Sequence, residues 1–163
     1  ARNDRIELHS LIEEVLTDLE PLAQEKNIEL IQKSHRGGEK ADEELFLTGS
    51  DILIYRMLYN LVENAIKYNQ KDGTVTVSAI REKNEVVLTV SDTGNGIDEA
   101  FRTQIFEPFF RVDKSRSLEL GGVGLGLTMV REVVRVHDGT IEVYANKNKG
   151  TTFEVKMRLG AEK

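Results

Sequence analysis

The sequence predicts a single α/β (α+β) domain, on three observations. Amphipathic helical stripes recur along the chain, segments of strict period-two alternation lie between them, and 163 residues with only two prolines and no low-complexity linker or repeat form one domain, residues 1–163. That length can bury a real hydrophobic core. With 39% hydrophobic and 31% charged residues the composition is that of a folded globular chain, not a disordered one. A net charge of −6 gives no electrostatic case for a nucleic-acid partner, so an anionic ligand would have to be held locally. No apolar run approaches the roughly 20 residues of a membrane span, and ARNDRIELHS has no signal-peptide core, so no direct membrane contact is expected. The absence of cysteine excludes disulfides and thiolate metal sites and fits a reducing, cytoplasmic compartment.

Taken in order, Leu11 to Lys26 carries Leu11, Val15, Leu19 and Leu22 as a helical stripe, which Pro21 should bend or disturb. Ile28 to Gln32 reads as a strand. HRGGEKADEE follows as a turn or hairpin loop before the short apolar run Leu45 to Leu47. Asp51 to Tyr68 is the clearest helix. At about 100° per residue, Ile54, Leu58, Leu61, Val62 and Ala65 fall on one side and Arg56, Asn60, Glu63, Asn64 and Lys67 on the other. The polar strip is either a solvated face or a ligand face. Two asparagines four residues apart are odd for the first purpose, because Asn is a poor helix former.

After a turn over Gln70 to Gly73, TVTVSAI and VVLTVSD alternate as two adjacent strands joined by a loop around Lys83 to Glu85. The second strand runs out into Asp92-Thr93-Gly94-Asn95-Gly96-Ile97, a tight turn that puts an acidic side chain at a strand end. Ile105 to Val123 has no sustained period, and an aperiodic stretch of that length is expected to be a lid or a charged loop. Within it Phe106, Phe109 and Phe110 read as a hinge docked on the core, and Arg111, Lys114 and Arg116 as a basic flap. Gly121 to Leu127, GGVGLGL, then enters a helix over Leu125 to Val136. Glycines at a helix mouth let the backbone approach phosphate, where unpaired N–H groups and a partial positive charge are available, although the same run can simply pack a loop against a sheet. Thr140 to Tyr144 and Thr152 to Leu159 close the chain as two further strands.

The ordered set NLVENAIKY (Asn60 to Tyr68), DTGNGI (Asp92 to Ile97), FEPFFR (Phe106 to Arg111), GGVGLGL and the closing GTTF (Gly150 to Phe153) resembles the catalytic and ATP-binding domain of sensor histidine kinases. Wider relatives are the gyrase-type topoisomerases, heat-shock chaperone ATPases and mismatch-repair ATPases. The resemblance covers residues 49–159 and rests on five boxes in register. It implies a two-layer sandwich of the Bergerat type: a mixed, mainly antiparallel five-stranded sheet, three main helices on one face, and a long ATP lid over residues 107–123.

It also implies roles. Asn64 matches the magnesium-binding asparagine, whose amide oxygen suits a hard cation that draws its other ligands from phosphate and water. Asn60 and Lys67 share its strip, Lys67 approaching the phosphates and Tyr68 lying near the sugar. Asp92 matches the reader of the adenine amine, Gly94 and Gly96 let the purine lie against backbone, and Ile97 closes that box. Gly122, Val123, Gly124, Leu125, Gly126 and Leu127 bring phosphate-facing amides, Arg111 reaches the terminal phosphate, and Thr151 or Thr152 supports the base. There is no GxxxxGK[ST] loop and no HRD or DFG signature.

One position separates the branches of this superfamily. The ATPase branch carries a carboxylate one turn before the magnesium asparagine as general base, whereas this chain has neutral Asn60 there, with Glu63 about 100° round the helix. Transfer to a nucleophile other than water is therefore expected, with Asn60, Lys67 and Arg111 as the catalytic side chains. No histidine stands in a His-Glu/Asp-x-x-x-Pro box, so the resemblance implies an excised, monomeric catalytic domain. Its acceptor histidine would lie on a separate dimerisation domain, a response regulator would be engaged indirectly, and the parent would be cytoplasmic or membrane-anchored. The alternative is a nucleotide-gated interaction module, an anti-sigma regulator or a degenerate kinase domain.

Overall fold

The computed structural model describes residues 3–33, 44–96, 106, 123–147 and 149–159, with side chains of the last helix described from residue 127 onward. The element order is β1 (Asp4–Glu7), α1 (Leu8–Glu25), β2 (Glu29–Lys33), β3 (Phe46–Gly49), α2 (Asp51–Lys67), β4 (Thr74–Glu82), β5 (Glu85–Asp92), α3 (Val123–Val136), β6 (Thr140–Ala145) and β7 (Thr151–Arg158). Five strands form one sheet in the order β2-β4-β5-β7-β6, with β2 parallel to β4 and the other pairs antiparallel. This is the mixed, mainly antiparallel sheet that the sequence resemblance implies.

Alternation decides which face of the sheet is covered. Val75, Val77 and Ala79 of β4 lie in register with Asp92, Val90 and Leu88 of β5, and Val90, Leu88 and Val86 lie opposite Phe153, Val155 and Met157 of β7. All of these apolar side chains are buried in one cluster with the helices. Burying such a side chain contributes about 1.5–3 kcal/mol, so the register is held by the row as a whole. The opposite face is richer in hydroxyls, with Ser78 and Thr89 hydrogen-bonded across β4 and β5.

Helix α2 begins and ends as its sequence dictates. The Ser50 hydroxyl accepts from the Leu53 N–H at 3.3 Å, Asp51 sits in the first turn and Lys67 in the last, charges that oppose the helix dipole. Ile54, Leu58, Leu61, Val62 and Ala65 are all buried, as the periodicity predicts. Helix α1 buries Leu8, Leu11, Ile12, Val15, Leu16, Leu19 and Ala23 and runs through Pro21 to Glu25. The proline lies close enough to the C-terminus that its missing N–H costs one bond of the final turns and the helix continues.

Three features differ from the sequence reading. Residues 4–7, given no element from the sequence, form β1, which pairs antiparallel with β3 in a separate two-stranded sheet. Strand β3 therefore makes no hairpin with β2, and most of the segment between them, with His35, lies outside the described residues. Helix α3 starts two residues before the expected Leu125, which brings Val123, Gly124, Leu125 and Gly126 into its first turn. The remaining boundaries agree within three residues.

Candidate nucleotide site

The end of β5 and the C-terminus of α2 meet at one edge of the sheet. Gly94 marks the contact: a Cβ there would lie 2.7 Å from the Tyr68 carbonyl oxygen, so only glycine lets the turn after Asp92 pass beneath the helix end. On the other side, β7 starts against the same turn. A Cβ on Gly150 (φ +106°) would stand 1.9 Å from the Asp92 carbonyl oxygen. The glycine of the GTTF box is thus a spacer that brings the Thr151 amide to Asp92.

Asp92 is fixed by backbone. Its Oδ1 accepts from Gly94 N–H at 2.8 Å and Thr151 N–H at 3.2 Å, and among the described residues Oδ2 receives no hydrogen bond. Burial pushes the carboxyl above the ordinary aspartate range, and these two amides only partly counter it. One oxygen of this half-buried carboxylate is held by backbone, and among the described residues the other is left as an available acceptor.

The polar strip of α2 is placed as the arithmetic predicts, and its members differ in what they do. Asn64 is half-buried, and its Nδ2 is buried with no partner among the described residues. A buried unmatched amide costs about 1–3 kcal/mol, so this N–H calls for an acceptor that the described residues do not supply. Asn60 donates from Nδ2 to the Arg56 carbonyl at 2.8 Å, a bond within its own helix. Lys67 Nζ lies 3.9 Å from Glu63 Oε1, a loose i,i+4 ion pair between two partly buried side chains. Tyr68 caps the helix and its hydroxyl is buried.

Thr151 and Thr152 face opposite ways. The Thr152 hydroxyl is bonded to Ser91 Oγ at 2.9 Å and to the Asn146 carboxamide, on the sheet face away from Asp92, whereas Thr151 follows the core-facing parity of Phe153. Of the two threonines, Thr151 is therefore the one on the sheet face of Asp92, and Thr152 lies on the other face. Asn146, which sequence reasoning missed, ties this corner together by donating to the Asp92 carbonyl at 2.9 Å and to Ser91 Oγ at 3.1 Å. An isolated Asn before Lys-Asn-Lys-Gly reads only as turn chemistry, so its reach across two strands had no sequence signal.

Helix α3 brings its N-terminus to the same edge. Thr128 Oγ1 donates to the Phe106 carbonyl at 2.9 Å, and the Phe106 ring meets Phe153 edge-on at 6.1 Å, so the first of the three predicted hinge phenylalanines is docked on the core. The first-turn amides of Val123, Gly124, Leu125 and Gly126 have no intrahelical acceptor, while the Leu127 side chain is buried in the core. At its other end His137 Nδ1 lies 2.8 Å from the Val133 carbonyl, which can only accept, so Nδ1 carries the proton and Nε2 accepts the Ser50 N–H at 3.1 Å. Gly96 takes φ +84°, a left-handed conformation that suits glycine. Ile97, Arg111, Gly122, Phe109, Phe110, Lys114 and Arg116, with nearly all of the lid, lie outside the described residues.

Comparison with known proteins agrees with this architecture. The model of the family described as "Histidine kinase-, DNA gyrase B-, and HSP90-like ATPase" matches residues 49–161. The sensor protein CiaH of Streptococcus pneumoniae is 39% identical over 108 residues, 66% of this chain and 24% of that protein. The sensor-like histidine kinase SenX3 of Mycobacterium tuberculosis is 39% identical over 117 residues, 72% of this chain and 28% of that one. The chain thus spans about a quarter of the length of these curated relatives. Among solved structures, the catalytic domain of histidine kinase ThkA superposes with a TM-score of 0.82 at 26% identity, over 99% of this chain and 100% of that one.

Proposed function

We propose that this chain, which belongs to the histidine kinase-, DNA gyrase B- and HSP90-like ATPase family, is the ATP-binding catalytic domain of a two-component sensor kinase. It donates the γ-phosphoryl group to a histidine on a separate dimerisation domain, and serves a response regulator through that histidine. The observation that supports this most is Asn64, a buried amide without a partner among the described residues, on a helix end packed against the strand end that bears Asp92.

In this reading Asp92 Oδ2 accepts the adenine amine, with Gly94 and Gly96 beneath the purine and Thr151 beside it. The α3 first-turn amides, Lys67 and Arg111 meet the phosphates, with Gly122 and Ile97 completing the boxes. Asn64 would hold a magnesium ion through its carboxamide oxygen, a hard donor, leaving the unpartnered Nδ2 to donate to an anionic oxygen. Such an ion would supply charge neutralisation at the phosphates. Asn60 is neutral and bonded to its own helix, so it offers no base to a water, and the transfer runs to a histidine brought from outside. The domain acts as a monomer on the cytoplasmic side of its parent protein.

The test uses ATP labelled in the γ position and a separately produced histidine-bearing dimerisation domain. Acid-labile label on that domain is the expected result. Label that stays on the nucleotide while the chain binds ATP makes it instead a nucleotide-gated interaction module.

A further inference from the structure

The turn between α1 and β2 is joined to the end of α2 by a single cation. Lys26 Nζ donates to the carbonyls of Lys67 at 2.6 Å, Asn69 at 3.0 Å and Ile66 at 3.4 Å. These are carbonyls of the last turn of α2 and the residues just beyond it, where the dipole favours a positive charge; that of Ile66 also accepts the Asn69 N–H at 3.2 Å. The turn that carries Lys26 is itself fastened: its carbonyl accepts the Asp72 N–H at 3.1 Å, Asn27 Nδ2 donates to Asp72 Oδ1 at 2.8 Å, and Glu29 N–H donates to the Gly73 carbonyl at 3.0 Å. Lys26 is therefore a fixed charge, not a loose surface side chain.

From the helix end the contacts continue inward. Asn69, buried, accepts on Oδ1 from Gln70 N–H at 2.8 Å and from Thr93 Oγ1 at 3.1 Å, and donates from Nδ2 to the Thr74 carbonyl at 2.9 Å. Thr93 Oγ1 in turn accepts the Thr74 N–H at 2.9 Å. Thr93 lies between Asp92 and Gly94. An unbroken set of hydrogen bonds thus runs from Lys26, through the end of the helix bearing Asn64 and Lys67, to the turn that holds Asp92. None of Lys26, Asn69 and Thr93 touches the open Oδ2 or the buried Asn64 amide.

We propose that Lys26 is a positioning residue for the nucleotide pocket, its ammonium setting the α2 terminus in register with the Asp92 turn through Asn69 and Thr93. The inference rests on the reading of this site as a nucleotide site. It also assigns work in that site to an element before residue 49, where the family match begins. The consequence is specific: losing the cation should spoil the relation between two halves of a pocket while each half remains folded.

The test compares the chain with Lys26→Met, which keeps the stem and removes the charge, and Lys26→Arg, which keeps the charge. Affinity for ATP with magnesium is titrated at a temperature where melting curves show every variant fully folded. Lys26→Met should bind at least tenfold more weakly, and Lys26→Arg should recover part of the loss. A residue that merely stabilised the fold would lower the melting temperature and leave affinity of the folded protein unchanged, and that result overturns the proposal. Should Lys26→Met not fold, Thr93→Val is measured in the same way, with weakened binding expected and wild-type binding decisive against. If the unaltered chain fails to bind ATP, the site reading falls and this proposal with it; if it binds and the variants match it, only the role of Lys26 falls.

Discussion

In the proposed nucleotide site, Asp92 is the residue on which base selection and pH response would converge. Its open Oδ2 can accept from the amine of adenine but would meet the carbonyl of guanine, and a charge-assisted hydrogen bond is worth about 1.5–3 kcal/mol. ATP should therefore bind at least tenfold tighter than GTP by calorimetry, and Asp92→Ala should remove most of the difference. Because burial raises its pKa above the ordinary value of 3.8, the acceptor is neutralised at a higher pH than a surface aspartate would be. ATP affinity should accordingly fall as pH drops toward that raised value, less so in Asp92→Asn. Glu7 behaves in the opposite sense. Burial pushes its carboxyl up, but the amides of His9, Leu45 and Ser10 and the charge of His9 outweigh it, so its pKa in the folded chain lies below 4.5. Its cap on α1 is present above the unfolded value and is lost as pH falls through the lowered one. Glu7→Ala should cost about 1 kcal/mol near neutrality, and its melting curve should converge on that of the parent chain below pH 4. Asp92 and Asn64 stand out in the sequence through the family boxes they occupy, and Asn64 also as a second asparagine on a helix face, a poor choice for a merely solvated strip. Lys26 and Asn69 carry no such mark, since a lysine ending a helix and an asparagine in a turn are ordinary, and only the tertiary arrangement brings them together.

Helix α2 divides cleanly into two sides, and that division is testable as an element. Asn64→Ala should weaken magnesium-dependent nucleotide binding while leaving circular dichroism close to native. Leu61→Ala, 1% exposed on the opposite side, should cost about 2–5 kcal/mol in denaturant unfolding. Unfolding by the first substitution and tolerance of the second would mean the sides are reversed. Periodicity made this helix and the β4–β5 hairpin legible because each has a long, unbroken pattern. Strand β1 was not legible: four residues, Asp4 to Glu7, are too few to display a period, and only Ile6 among them is fully buried. The start of α3 was misplaced for a related reason, because glycine lowers helix propensity while the tertiary setting keeps Gly124 and Gly126 helical.

For the molecule as a whole, the proposed nucleotide site and neutral Asn60 predict ATP binding with negligible self-labelling. The described histidines are already occupied, His137 through both ring nitrogens and His9 through Nε2 at 3.3 Å from the Ala79 carbonyl. Incubation with γ-labelled ATP should leave no acid-labile phosphate on either and only slow phosphate release. Rapid turnover would move the chain to the hydrolytic branch. The packing of strands and helices was legible only through resemblance, since alternation yields strands but not their order, and the parallel placing of β2 beside β4 has no local signature. The bond between Ser50 and His137 gives that packing a mechanical reading. It joins the start of α2 to the end of α3, while the opposite ends of both helices stand at the Asp92 edge. The pair is built like tongs riveted at that end, with the two helices also packed along their length. Fourteen residues of helix from Ser50 to Asn64 make a lever about 21 Å long, so a rotation of about 5° at the rivet carries the tip about 2 Å. Gly49 keeps that rivet tight, because a Cβ there would lie 2.4 Å from the His137 ring; any side chain at position 49 would reset the gape of the jaws from the end farthest from what they grip.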